Sequence, residues 1–390
     1  MEPGLGFKLV MSIILIACLS FLGFFGAIFT SLMGGVKFYT PLVILVTIAI
    51  IIALILKIFN LIKSRLLAIG VVSFFSLCFV VIIGYEMYQS YYDSLDILKN
   101  QEVDLYEYRP FAKDSKVVSL EEPSALKIKN HLPKIDGATA LYPLYAAFAQ
   151  ATYPEKEYDV YFSEVMSNRT GVAYKNLMNG EVDIIFALGP SQRQIDYADQ
   201  LGVELELTPI GKEAFVFFVN SRNPIEGLTV KQIQGIYSGK VENWREVGGK
   251  NDSIRAFQRP DDSGSQTALE SLMGEVPIME APTEDIVSGM GGIIAQTAKY
   301  RNYKNALGYT FRFFSTEMVK NGDIRHLKID GIYPDKENIR NGLYPLSTEF
   351  YAITAGSTNP HLDDLINWIL SEQGQMLVEK TGYIPIKEIK

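Results

Sequence analysis

Three long runs without a charged residue occupy the first 90 positions, at 9–33, 38–56 and 66–85. A hydrocarbon core of about 30 Å takes about 20 apolar residues in a helix, so each run is long enough to span a bilayer. None has the polar face that a helix packed on a soluble core presents to water. The chain is therefore read as anchored by three transmembrane helices. Basic residues near the ends set the expected topology. Lys57, Lys63 and Arg65 place the loop between the second and third runs in the cytoplasm. Only Lys37 lies between the first and second runs, and Glu86, Asp93 and Asp96 follow the third. The N-terminus is expected inside and the C-terminal part outside, a multi-pass protein of the cell membrane with an extracytoplasmic domain.

Leu15-Ile16-Ala17-Cys18 matches a bacterial lipoprotein cleavage pattern, yet the apolar run continues for a further 15 residues after Cys18. Lipidated proteins turn polar at that point, so an intact span is expected. The other cysteine, Cys78, also lies in an apolar run, which leaves no disulfide framework and no Cys/His metal cluster. His131, His326 and His361 form no motif. No metal, no cofactor and no enzyme chemistry are expected.

Residues 131–390 hold 25 basic and 34 acidic side chains, a balance of −9 within a net −8 for the chain. Nucleic-acid binding rests on a basic footprint, so it is excluded as a function. An anion site in such a field must work through local hydrogen bonds and helix ends.

Residues 91–130 are polar and mixed in charge and read as a stalk, with a short strand at 116–120. From residue 132 strands and helices alternate. Strands are expected at 132–135, 159–163, 182–187, 204–210 and 214–220, and helices at 142–152, 171–178, 230–237 and 265–273. This alternation argues for α/β layers with largely parallel sheets. Roughly 260 residues exceed what one core usually holds, so two lobes are expected. A ligand then belongs in the crevice between them, at strand C-termini and helix N-termini.

Three segments have the chemistry of an anion site. In Gln258-Arg259-Pro260-Asp261-Asp262-Ser263-Gly264-Ser265, hydroxyls and a glycine sit where a helix begins, with free amides and the positive end of the dipole. Arg259 offers a planar fork to two oxygens of a tetrahedral anion. Asp262 or Ser263 is the expected cap. Asp136-Gly137-Ala138-Thr139-Ala140 follows a strand and opens a helix, placing the Thr139 hydroxyl and amide for the same use. Ser167-Asn168-Arg169-Thr170-Gly171 repeats the pattern with Ser167, Asn168 and Thr170 as donors. Hydrogen bonds to a charged group net about 1.5–3 kcal/mol each, so several reach the ~8 kcal/mol of micromolar binding.

These residues resemble the phosphate-binding proteins of bacterial ABC phosphate importers, over about 132–386 and in order. The match includes the loops at 136–143 and 168–171, Ile236-Tyr237-Ser238-Gly239-Lys240 with Asn243-Trp244-Arg245-Glu246-Val247-Gly248-Gly249, the Arg259-x-x-x-Ser263-Gly264-Ser265 loop, and Gly374-Gln375 with Gly382-Tyr383-Ile384-Pro385. The resemblance implies a two-lobed periplasmic-binding-protein-like clamp of type II, preceded here by the three transmembrane helices. The anchor is then 1–90, the stalk 91–130 and the binding domain 131–390. Lobe one is about 131–215 and 350–390, and lobe two about 220–345. Two crossing strands at 214–220 and 350–354 serve as hinge. The implied ligand contacts are Thr139, Ala140, Ser167, Asn168, Arg259, Ser263, Gly264 and Ser265, with Asp261 orienting Arg259. The implied partners are inorganic phosphate or a related oxyanion and an importer permease; the alternative is a sensory or interaction module built on the same clamp.

Two departures stand out. The family places an aspartate after the strand at 182–187 to accept the proton of hydrogen phosphate. Here that place falls on Leu188 or Gly189. Asn168-Arg169-Thr170 replaces the usual serine and glycine, and Arg169 either adds charge to the site or points to solvent.

Overall fold

In this computed structural model, residues 4–32, 38–94, 103–261, 263–281, 286–287, 293–294, 297 and 304–387 are described. Met33, Lys37, Asp96 and Asp262, which the sequence reading used, lie outside them. The chain divides into two units, Met1–Ser94 and Leu95–Lys390.

The first unit is three helices, α1 (Leu5–Leu32), α2 (Tyr39–Ile58) and α3 (Ser64–Ser94). Each is long and apolar enough to cross a membrane, and few of their described side chains are buried. Small residues let α1 and α2 approach closely. A Cβ on Gly23 would lie 2.5 Å from Thr47 Cγ2, and one on Gly26 would lie 3.2 Å from Val43 Cγ1.

In the second unit ten strands are described: β1 (Ile135–Gly137), β2 (Ile184–Ala187), β3 (Glu206–Asn220), β4 (Gly227–Leu228), β5 (Arg255–Ala256), β6 (Ala306–Phe311), β7 (Ile324–His326), β8 (Lys328–Ile329), β9 (Ser347–Thr354) and β10 (Ile384–Pro385). The helices are α4 (Tyr142–Thr152), α5 (Thr170–Met178), α6 (Gln192–Leu201), α7 (Val230–Tyr237), α8 (Gly264–Met273), α9 (Lys336–Arg340), α10 (Leu362–Ile369) and α11 (Glu372–Thr381). The main sheet runs β1-β2-β9-β3-β6-β5, with β10 and β7 also paired to β3.

The sheet is mixed, where largely parallel pairing was expected. β1–β2 and β5–β6 are parallel, as is the separate two-stranded sheet β4–β8, while every ladder on β3 is antiparallel. The reason is that β3 and β9 carry the chain from one lobe to the other and back, so they run in opposite directions. The strands expected at 204–210 and 214–220 are one strand with a register shift between Pro209 and Gly211. Pro209 has no amide to give the ladder. A Cβ on Gly211 would lie 2.4 Å from Phe350 Cζ, so only glycine lets Phe350 lie flat there. β3 pairs with β9 as far as Ala214 and with β6 from Phe215 onward, which locates the crossing.

Two main cores flank that crossing. Tyr145, Phe148, Phe186, Trp368 and Leu377 belong to the first, and Phe215, Phe217, Tyr237, Trp244 and Tyr309 to the second.

The expected stalk differs in its folded part. A 3-10 turn at Leu105–Tyr108 places Leu105 and Tyr108 in the first core, and Val117 and Ile128 join them. No strand forms at 116–120, where Lys116 N donates to Glu107 O at 2.8 Å. Spaced single apolar anchors give no periodicity, so polar composition hid the packing. Residues 159–163 are also not a strand: Asp159 Oδ1 accepts from Tyr161 N at 2.8 Å and Phe162 N at 3.0 Å, a turn closed by the aspartate side chain.

Candidate anion site between the lobes

A cavity of about 560 Å³ lies where the two lobes face each other. All eight expected contact residues, Thr139, Ala140, Ser167, Asn168, Arg259, Ser263, Gly264 and Ser265, line it.

The first loop follows β1 and opens a 3-10 turn, Thr139–Leu141, that runs into α4 with Pro143 in its first turn. Amides at such a start have no carbonyl one turn back. Tyr383 Oη donates to Ala140 O at 2.6 Å and pins the loop to the C-terminal segment.

The second loop is held by Asp136, which is fully buried. Its Oδ1 accepts from Gly137 N and Asn168 N, both at 2.8 Å. Its Oδ2 accepts from Asn168 Nδ2 and Asn176 Nδ2, both at 2.9 Å. Asn168 thus gives its amide and its side-chain N–H to Asp136 and acts mainly as a strut. In the sequence Asp136 stands only at the head of the first loop; its side-chain partners Asn168 and Asn176 lie 32 and 40 positions away, so no local pattern marks it as the strut's anchor.

Arg169 caps α5 with φ 70° and ψ 159°, a region nearly reserved for glycine. Arg169 is among the residues lining the cavity, and it is exposed. Strain of this kind costs about 1–3 kcal/mol and persists where a site needs it. Arg169→Gly should therefore raise the unfolding free energy by about 1 kcal/mol while weakening anion binding. Chemical denaturation with and without phosphate checks both signs, and a less stable variant would refute the strain argument.

The third loop carries α8. Ser263 is the cap, its Oγ accepting from Gln266 N at 3.2 Å. The hydroxyl keeps its own proton to donate. Gln266 Oε1 accepts from Arg259 N at 3.0 Å and from Tyr309 Oη. This ties Arg259 to the helix start. The Arg259 side chain is buried, and its Nε and Nη1 have no hydrogen-bond partner among the described residues. Burial lowers its pKa to about 10; Tyr309 opposes the shift and Arg169 adds to it. It stays charged at neutral pH. Asp261 does not orient it: Asp261 Oδ2 pairs with Arg193 at 2.8 Å. An exposed aspartate is better solvated beside a surface arginine than turned into the buried guanidinium.

Of the two places open for the missing acceptor, Leu188 lines the cavity and Gly189 does not. Leu188 O accepts from Tyr174 Oη at 2.7 Å, and its Cδ1 lies 3.8 Å from where a Gly264 Cβ would be.

Glu213, on the crossing strand, was not foreseen. It is buried on the cavity wall, its Oε1 accepting from Ala214 N at 2.8 Å and its Oε2 from Phe313 N at 3.1 Å. Burial raises its pKa to about 7, against pulls from those two amides and from Arg312 and Lys336. An unfolded carboxyl titrates near 4.5, so the folded state holds the proton more tightly. Its contribution is full below pH 4.5 and lost as pH rises through 7. Glu213→Gln should remove that slope, although one of the two amides that the carboxylate accepts loses its partner. Parallel stability–pH curves for the two proteins would refute this.

The mixed α/β fold agrees with comparison to known proteins. Residues 131–373 match the model of the PBP superfamily domain. The chain belongs to this superfamily. The Phosphate-binding protein PstS of Bacillus subtilis is 26% identical over 264 residues, covering 66% of this chain and 81% of that protein. Its Pseudomonas aeruginosa namesake is 27% identical over 222 residues, covering 51% and 68%. A putative phosphate ABC transporter substrate-binding protein from Clostridium perfringens, solved with bound phosphate, superposes with a TM-score of 0.50 at 26% identity. That match covers 67% of this chain and all of the other. The superfamily match and these relatives describe substrate-binding proteins, not enzymes.

Proposed function

We propose that this superfamily member is a membrane-anchored, extracytoplasmic binding protein for phosphate or a related tetrahedral oxyanion, which it passes to an ABC importer permease in the same membrane. The observation that carries the reading is Arg259, a buried cation on the cavity wall beside the opening turn of α8. A buried charge is costly unless paired, and a dianion in the cleft supplies the partner. Thr139, Ala140, Ser263, Gly264 and Ser265 would complete the anion's shell with hydroxyls and first-turn amides.

The full chain in lipid nanodiscs should gain thermal stability from phosphate, by about 2.7 kcal/mol at a hundredfold excess over Kd. No shift with phosphate, arsenate, sulfate, molybdate or phosphonates would sink the reading. The outside location of the domain rests on Lys57, Lys63 and Arg65 between the second and third spans. Cysteines placed at those positions should be labelled by impermeant maleimide only after cells are opened.

One observation favours the sensory alternative. Val103 and Leu105, close after the third span in sequence, line the same cavity. Ligand occupancy would then act on the segment that follows the spans in sequence. Binding that persists, with transport intact, after Leu105→Ala would argue for delivery alone.

A further inference from the structure

Resting on the oxyanion-binding reading above, we propose that the ligand is a phosphoryl dianion carrying one apolar organic substituent, a phosphate monoester or a phosphonate, rather than inorganic phosphate. Four observations converge on this.

The first is size in a clamp whose lobes already touch. A Cβ on Gly264 of lobe two would lie 3.2 Å from Thr170 Oγ1 of lobe one. Arg193 of α6 and Asp261 bridge the same two lobes at 2.8 Å. The cleft between them, still open to solvent on one side, is about 560 Å³. Five non-hydrogen atoms, even at the ~30 Å³ that each water takes in the liquid, fill only about a quarter of it.

The second is the wall. Donors come from 139–140, 167–169 and 259–265, and much of the remaining lining is Val103, Leu105, Phe311, Phe314 and Phe350. An inorganic oxyanion has nothing to place against those side chains, whereas a hydrocarbon group does.

The third is the proton. Hydrogen phosphate carries an O–H that needs an acceptor once it is out of water. Leu188 stands beside Thr170 and Gly264 and has only methyl groups to offer. Among the described residues of the lining, Glu213 is the one acid; it sits on the crossing strand with one backbone amide on each carboxyl oxygen, so it is at Leu188 that the family's acceptor is missing. A substituted phosphoryl dianion has no such proton, and its carbon side suits Leu188.

The fourth is charge. Arg259, Arg169 and Lys175 all line the cavity. Three basic residues in one lining favour a ligand with two full negative charges, which sets a phosphoryl group, inorganic or substituted, apart from a monoanion such as a sulfonate.

The test is isothermal titration of the full chain in nanodiscs at pH 8, with inorganic phosphate, phenyl phosphate, phenylphosphonate and benzenesulfonate as probes. Both phenyl phosphoryl compounds are expected to bind at least 10-fold tighter than phosphate, and benzenesulfonate, with one charge fewer, at least 10-fold weaker than phenylphosphonate. The tighter of the two phosphoryl compounds identifies ester or phosphonate as the source. Leu188→Asp should reverse the preference toward inorganic phosphate, and Leu188→Asn should move it the same way if the acid disturbs folding. Phosphate binding as tight as, or tighter than, both phenyl compounds overturns this proposal while leaving the anion-binding reading intact. Benzenesulfonate matching phenylphosphonate overturns the dianion assignment. No binding of any probe overturns both readings together.

Discussion

Asp136→Ala is expected to cost about 3–5 kcal/mol of folding stability, the largest effect of any single change at this site. The carboxylate is fully buried and accepts from Gly137 N, Asn168 N, Asn168 Nδ2 and Asn176 Nδ2. Deleting it leaves four donors stranded in a place water reaches poorly. Each orphaned group costs about 1–3 kcal/mol before relaxation, and partial collapse of the site brings the total back to the stated range. The same change frees the second loop, so anion affinity should fall although Asp136 is not among the residues lining the cavity. Urea unfolding of the full chain in nanodiscs checks the first effect. A double-mutant cycle with Asn176→Ala checks its origin. Coupling above about 1 kcal/mol is expected for groups in one network, and additive losses would refute the account.

Arg259→Ala is expected to abolish binding, by at least a hundredfold in Kd, and yet to leave the ligand-free protein as stable as before or more so. Two charge-assisted hydrogen bonds to an anion are together worth about 3–6 kcal/mol, which is two to four powers of ten in affinity. Without ligand the guanidinium is a buried charge whose Nε and Nη1 have no partner among the described residues. Removing an uncompensated buried charge relieves a desolvation cost. Arg259→Met, which keeps most of the volume, should raise the melting temperature of the ligand-free chain most clearly. A binding site and a structural ion pair would behave oppositely here: if the ligand-free variants lose several kcal/mol, Arg259 is held by the fold and not reserved for an anion.

Much of the site was legible before any coordinates. Helix starts announce themselves through short-range chemistry: Ser263 before Gly264, and Thr139 two residues past Gly137. The helices at Tyr142–Thr152 and Val230–Tyr237 match the expected ranges because apolar spacing, with Pro143 at the start of the first and the Thr229 cap on the second, acts within one or two turns. What went unread depends on partners far away in sequence. Glu213 reaches Phe313, and the Asn168–Asp136 bonds span 32 positions. Asp261 chose Arg193 over its neighbour Arg259 because solvent exposure, which no local pattern encodes, decided the pairing.

The sequence by itself determined that the chain has three apolar helices long enough to cross a membrane, followed by an α/β domain of binding-protein type with anion-type helix starts. Uncharged runs and capping motifs act locally, and a span of 250 residues cannot close on one core. Only the tertiary structure decided what the clamp encloses. It brought Arg259 and Arg169 to one cavity, set Leu188 rather than Gly189 on its wall, and drew Val103 and Leu105 from the supposed stalk into the lining. Those placements follow from which lobe each strand crosses to and how closely the lobes pack, and both are long-range outcomes of burying two cores at once.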